Sequence, residues 1–134
     1  MPHKYVTRWA IENAQPFLSF IEIGDKELKE SIICETTEEL NTRIDGKSSA
    51  YKIRNAGFLA NKLGQQSIND LSKYSARVFA QSIATGHMRG HAIVSSDYAI
   101  KVINILFPKD MLKVEEERNR QIELANRILK EYDI

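Results

Sequence analysis

Apolar residues recur at three- and four-residue steps along almost the whole chain, which is the spacing of one face of an α-helix. No stretch alternates apolar and polar residues as a half-buried strand does. Breaking residues divide the sequence at intervals that suit separate helices, namely Gly24, Gly46, Gly64 and the Phe107-Pro108 pair. We therefore predict an all-α fold, a single-domain bundle of five or six helices over residues 1–134 with its core roughly in residues 5–125.

Helix boundaries follow from capping and breaking residues. The first helix is predicted from Tyr5 to Ile23 with a break near Gln15, because Pro16 lacks a backbone donor. Gly46 and Gly64 mark the predicted ends of the second and third helices. The apolar stretch from Gly90 to Phe107 predicts a buried fifth helix. The later helices are predicted to begin at Asp25, at Ser48 or Ser49, at Ser67, at Gly90 and at Asp110.

Composition limits the class of protein. The chain is 43% hydrophobic and 28% charged with a net charge of +1, as in a soluble globular domain. It has no run of about 18 apolar residues, which a membrane-spanning helix needs. Its first residues lack the apolar stretch of a signal peptide, so we expect a cytoplasmic protein with no membrane partner. The single Cys34 excludes an internal disulfide.

Charge is unevenly distributed although its sum is small. Residues 24–46 hold seven acidic and three basic residues, a net charge of −4. Residues 47–89 hold seven basic residues and one acidic residue, a net charge of +6. Two interpretations stay open: the two segments are neighbours whose fields partly cancel, or one of the two surfaces steers a charged partner.

The stretch from Arg77 to Ala92 combines small residues with two histidines. Two rows of small residues at four-residue spacing predict a close approach of another helix. His87 and His91 are also four residues apart, on the side of the helix continued by Ile83 and Phe79. We favour half-buried structural histidines that bond to neighbouring helices. Partner contact and a metal site are the alternatives, although no third ligand lies close in sequence. The two small-residue rows are Ala76, Ala80 and Ala84, and Ser82, Gly86 and Gly90.

The same region carries a recognisable block of residues. This block resembles the signature of the immunity-five-like family of bacterial immunity proteins, which belong to polymorphic toxin systems. Trp9-Ala10 and the late acidic run ending at Arg118 also fit that family's pattern. The block comprises Gln81, Ala84, Thr85, His87, His91 and Ala92, followed by Asp97, Tyr98, Ala99 and Lys101.

The resemblance covers roughly residues 8–121 and implies an all-helical domain that protects its producer by binding a toxin. The chain departs from the family pattern at Asn13, where the family has Cys, and at Gly86, where Ala is usual. Pro16 is a third departure, because it interrupts the first helix. The motif positions that the resemblance singles out are Trp9, Thr85, His87, His91 and Tyr98.

The resulting hypothesis is an immunity protein that binds a cognate toxin and has no catalytic activity or cofactor of its own. A basic toxin such as a nuclease would suit the acidic second helix, whose outward carboxylates are the candidate contacts. The identity of the toxin and the oligomeric state stay open, and a homo-oligomer is compatible with the sequence. The candidate contacts are Glu27, Glu30, Glu35, Glu38 and Glu39.

Two other classes of function are weaker alternatives. A DNA-binding regulator would use residues 67–91 as a helix-turn-helix, with Lys73, Arg77 and Arg89 on phosphates, yet no turn signal separates residues 70 and 84. We therefore expect no nucleic-acid partner. An enzyme would need a nucleophile with a base, paired carboxylates or a metal triad, and the sequence offers no such motif. Cys34 lies among acids, which should raise its pKa, so we predict no catalytic residue and no metal site.

Overall fold

The computed structural model describes residues 1–132 and confirms the all-α, single-domain prediction. Within these residues there is no β-strand, and one isolated bridge joins Ile23 to Ser67. A short 3₁₀ segment follows the first helix, at Gln15–Phe20. The six α-helices are α1 (His3–Ala14), α2 (Lys26–Ile44), α3 (Ala50–Gln65), α4 (Asp70–Ala84), α5 (His91–Leu106) and α6 (Met111–Tyr132).

The predicted break in the first helix is confirmed. α1 ends at Ala14, and Pro16 lies in the first turn of the 3₁₀ segment, where its missing N–H costs no helical hydrogen bond. The segment turns Phe17 into the core, where it is buried. A local backbone rule therefore sets the angle at which the chain leaves α1.

Three of the predicted helix starts are confirmed by their caps. The Asp25 carboxylate accepts from the backbone N–H of Leu28 at 3.0 Å, and the Ser49 hydroxyl accepts from that of Lys52 at 3.1 Å. The Asp110 carboxylate caps α6 in the same way. Each bond satisfies one of the backbone donors that a helix leaves free at its first turn.

Two predicted boundaries around the fourth helix are wrong. Asn69, and not Ser67, caps α4, with its side-chain oxygen 2.8 Å from the backbone nitrogen of Ser72. The hydroxyl of Ser67 is already engaged, because it donates to the Leu63 carbonyl at 2.7 Å and bonds to the Ser72 hydroxyl. Gly64 lies inside α3, which ends at Gln65.

α4 is the central helix of the bundle. It packs most extensively on α3 and α5, and it also contacts α1, α2 and the 3₁₀ segment. α6 packs on α1 and α5. Phe79 of α4 has no exposed surface and is among the largest fully buried side chains. α4 therefore contributes to two apolar clusters: Phe79 packs with residues of α2 and α3, and Val78 packs with residues of α5 and the 3₁₀ segment.

The fifth helix is only half buried, contrary to the prediction. Its inner side holds Ala92, Ser95 and Ala99, which are buried. Ile93 is 61% exposed on the other side. The stretch looked buried because apolar residues occupy both sides of α5, and only one side has helices to pack against.

The small-residue row predicts a close approach correctly at one glycine. A Cβ atom on Gly86 would lie 2.5 Å from the Ile53 side chain and 2.9 Å from that of Leu40. Only a glycine lets the turn after α4 sit this close to α2 and α3. Gly90 has no such neighbour, since nothing lies within 4 Å of its Cβ position.

Candidate partner-binding surface

The carboxylates predicted as contacts lie along α2. Four of them, Glu27, Glu30, Glu35 and Glu38, have exposed side chains. None of the four forms an ion pair within 4.0 Å with any residue of the part of the chain that the structure describes. We call these four residues the acidic face.

Glu39 differs from the other four carboxylates. It is partly buried, and its side chain accepts a hydrogen bond from the Ser48 hydroxyl at the start of α3. Its charge therefore helps to hold the connection between the two helices. Cys34 lies on the exposed side of α2, 3.5 Å from a carboxylate oxygen of Glu38. This contact raises the pKa of the Cys34 thiol, as the sequence predicted, and makes the thiol a poorer nucleophile.

α3 lies beside α2 and presents a different chemistry. Ala50–Gln65 contains no acidic residue, and Lys52, Arg54 and Lys62 are all exposed. Two aromatic rings share its solvent side: Tyr51 is 69% exposed and Phe58 is 62% exposed. Exposed aromatic and arginine residues are the types that most often anchor protein interfaces. We call Tyr51, Arg54, Phe58 and Lys62 the α3 face.

The basic segment keeps its charges unpaired. Within residues 1–132, none of the seven basic residues between 47 and 89 forms an ion pair. α2 and α3 are neighbours, as one of the two interpretations of the charge pattern supposed. A groove of about 250 Å³ between them is lined by Glu35 and Lys52. The acidic residues of α2 and the basic residues of α3 are thus adjacent without forming ion pairs with one another.

The two histidines lie together at a groove between α3 and α4. This groove has a volume of about 280 Å³, and its walls include Arg54, Phe58, His87 and His91. The Nδ1 atom of His91 lies 2.7 Å from the side-chain oxygen of Gln81. The His87 side chain is half-buried and makes no hydrogen bond with the rest of residues 1–132. No cluster of three or more potential metal ligands occurs within that same range.

The other motif positions serve separate parts of the scaffold. The indole N–H of Trp9 donates to the Gln121 carbonyl at 2.9 Å, which ties α1 to α6. Thr85 is buried, and its hydroxyl donates to the Ser82 carbonyl at 2.6 Å at the end of α4. The rings of Tyr98 and Tyr74 lie 6.2 Å apart between α5 and α4. Trp9 and Tyr98 therefore join neighbouring helices, and the Thr85 hydroxyl closes the last turn of α4.

The burial of α4 also disfavours DNA reading by residues 67–91. A recognition helix needs a free side that enters the major groove. α4 continues without a turn from Asp70 to Ala84, and most of its side chains are covered. The Arg77 guanidinium carbon lies 5.1 Å from the ring centre of Tyr74, where it packs as a cation on the aromatic face.

Replacement of His91 should cost more stability than replacement of His87. His91→Ala removes the bond to Gln81, and we expect a loss of about 1 kcal/mol in the free energy of unfolding, measured by urea denaturation. His87→Ala removes no hydrogen bond and should cost less. Equal losses would contradict this ranking. Stoichiometric zinc binding that both variants abolish would establish the metal alternative.

Sequence reasoning missed the α3 face. Two signals were available, namely the absence of any acid from residues 50–65 and the seven-residue spacing of Tyr51 and Phe58, which places both rings on one side of a helix. Aromatic residues at helical spacing usually face the core, so the exposure of these two rings can be recognised only when the packing of the helices is known.

Comparison with known proteins gives one match. The family model described as Imm-5 like putative immunity protein matches residues 1–128. No curated protein and no solved structure matches the chain. None of the helices within residues 1–132 is both long and apolar enough to cross a membrane. The match extends over nearly the whole length of the sequence, and the chain belongs to the Imm-5 like putative immunity protein family.

Proposed function

We propose that this chain binds and neutralises the toxin domain of a polymorphic toxin system in the cytoplasm, without catalysis of its own. Membership of an immunity-protein family supports this role. In this proposal the chain covers the substrate-binding surface of its toxin, which requires complementary shape and charge. We further propose that the acidic face of α2 makes the first contact.

The observation that carries the proposal is the row of unpaired carboxylates on α2. Glu27, Glu30, Glu35 and Glu38 are exposed and form no ion pair within residues 1–132. A toxin that acts on nucleic acid must itself be positively charged where it holds the phosphates. The acidic face would attract such a surface over several ångströms and raise the association rate. Salt would screen this attraction.

The proposal is tested by co-expressing the chain in bacteria with the toxin domain encoded beside its gene. The wild-type chain should restore growth. A variant with Glu30→Lys, Glu35→Lys and Glu38→Lys should lose this protection while keeping its helical circular dichroism. Glu39 is left unchanged because its side chain bonds to Ser48.

A matched variant controls for the change in net charge. It reverses three exposed carboxylates of α6, Glu115, Glu116 and Glu123, and it should still protect. If the wild-type chain gives no protection, the proposed function is wrong. If the α2 variant protects as well as the wild type, the function stands and the acidic face is not the contact.

A further inference from the structure

The acidic face and the α3 face form one continuous surface, of which one half is negatively charged and the other is positively charged. α2 and α3 are joined by the short connection of residues 45–49, so they run antiparallel side by side. The acidic face carries four exposed carboxylates, and α3 carries three exposed cations and no acid. Neither set is paired within the described residues. The surface therefore presents two parallel stripes of unlike charge.

The contacts at Gly86 fix which residues of the two helices lie level. Side-chain atoms of Leu40 and Ile53 both meet the Cβ position of this glycine, so the two residues lie within about one helical turn of the same height. Both helices rise about 1.5 Å per residue in opposite directions. Glu38 therefore lies level with the turn that contains Arg54. By the same count, Glu30 lies level with the turn that contains Lys62.

We propose that a second copy of this chain docks on this surface around a two-fold axis that lies outside the surface, over the groove between α2 and α3, and runs parallel to both helices. Rotation about this axis keeps every residue at its height and exchanges the two stripes. α2 of each copy then faces α3 of the other. A two-fold axis perpendicular to the helices would instead place acids on acids, which like-charge repulsion opposes. The proposed contact is self-complementary, as a closed dimer requires.

The preserved height specifies the pairs that meet. Glu38 of one copy faces Arg54 of the other, and Glu30 faces Lys62. Each pair occurs twice in the dimer because of the two-fold symmetry. Phe58 comes level with Cys34 of the other copy, so an exposed aromatic ring and the exposed thiol of α2 would cover one another. The aromatic rings supply apolar area, and the charges set the register.

This self-association would cover the acidic face that we propose as the toxin contact. A toxin would then have to displace the second copy before it binds. The dimer itself is independent of the proposed function, since it can be measured on the purified chain with no toxin present. Failure of one proposal therefore leaves the other unaffected.

The test is a charge exchange followed by sedimentation equilibrium. The wild-type chain should associate in low salt, and its dissociation constant should rise about tenfold or more when NaCl reaches about 0.5 M. Arg54→Glu should weaken the dimer about tenfold or more, because it places an acid opposite Glu38 at both copies of the Glu38–Arg54 contact. Glu38→Arg should weaken it equally, because two arginines then oppose one another.

Combining the two changes should restore association in two ways. An equimolar mixture of Arg54→Glu and Glu38→Arg chains should form heterodimers, in which both contacts are again of opposite charge. A single chain that carries both substitutions should form homodimers for the same reason. If an Arg54 variant is poorly helical by circular dichroism, the Glu30→Lys and Lys62→Glu pair gives the same test at the other contact.

Two controls complete the design. Glu115→Arg on the exposed side of α6 should leave the dissociation constant unchanged. Alkylation of Cys34, the only cysteine, should slow as the wild-type concentration rises through the dimer range. A wild-type chain that stays monomeric up to about 0.5 mM in low salt would overturn the proposal, as would a mixture that associates no better than its components.

Discussion

Gly86→Ala is expected to lower the free energy of unfolding by about 1–3 kcal/mol, because the site has no room for a methyl group. The new methyl group would meet Ile53 at 2.5 Å and Leu40 at 2.9 Å. Both of those side chains are fully buried and cannot move into solvent. The turn after α4 would have to move outward, which would stretch the bond from the Arg43 side chain to the Gly86 carbonyl, now 3.2 Å.

A matched glycine should respond in the opposite direction. Nothing lies within 4 Å of the Cβ position of Gly57, which is inside α3. Gly57→Ala should therefore raise the free energy of unfolding by about 0.5–1 kcal/mol through helix propensity alone. Urea denaturation of both variants at one temperature makes the comparison. Equal effects of the two substitutions would show that the close approach at Gly86 carries no energetic weight.

A double-mutant cycle identifies the side chain responsible. Ile53→Ala alone should destabilise the protein, because it leaves a cavity. Combined with Gly86→Ala, it makes room for the new methyl group, so the double variant should be more stable than the sum of the two single losses predicts. Strict additivity would point to Leu40 or to the backbone instead. A family member with alanine at this position would need a compensating change of this kind.

Glu117→Ala is expected to cost about 3 kcal/mol, the lower end of the range for breaking a buried ion pair. Glu117 is only 6% exposed. Its carboxylate accepts from Arg120 at 2.7 and 2.9 Å and from the Gln121 amide at 2.8 Å. Arg120 also donates to the Asn13 carbonyl, so the cluster fastens α6 to α1. The cost is at the lower end because the Arg120 side chain is 34% exposed and keeps part of its hydration.

The adjacent glutamate is the matched control. Glu116 is exposed and lies 3.4 Å from the Lys113 ammonium in a surface pair. Glu116→Ala should change the free energy of unfolding by less than about 0.5 kcal/mol. Replacement of both members of the buried pair, Glu117→Met with Arg120→Met, should recover much of the loss, because no unpaired charge remains. A loss at Glu116 as large as that at Glu117 would refute the assignment.

Local features of the fold could be predicted because their causes lie within a few residues. An N-cap side chain accepts a hydrogen bond from the backbone N–H three residues further on, so Asp25 and Asp110 predict the starts of their helices from the sequence alone. Pro16 likewise breaks α1 through its own geometry. Ser67 was misleading because serine suits a cap as well as asparagine does. Its competing bond to the Leu63 carbonyl depends on how the connection between α3 and α4 folds.

Features that depend on distant packing could not be predicted. Glu115, Glu116 and Glu117 look alike in the sequence, and only the position of α6 against α1 and α5 buries the third. The side chains that leave no room for a Cβ at Gly86 come from two other helices. The acidic face could be predicted as a run of charge, whereas the engagement of Glu39 by Ser48 could not. Tyr51 and Phe58 of α3 are exposed because no other helix within residues 1–132 covers that side of α3, which the sequence does not reveal.

The central position of α4 has a consequence for how the chain folds. Its most extensive contacts are with α3 and α5, the helices directly before and after it in the sequence. Such contacts close short loops, and the entropy lost on closing a loop is small when few residues separate its ends. Chains dominated by local contacts reach the native state quickly. Residues 50–106 can therefore assemble early in folding, and α6, which packs on α1 and α5, joins a partly formed core.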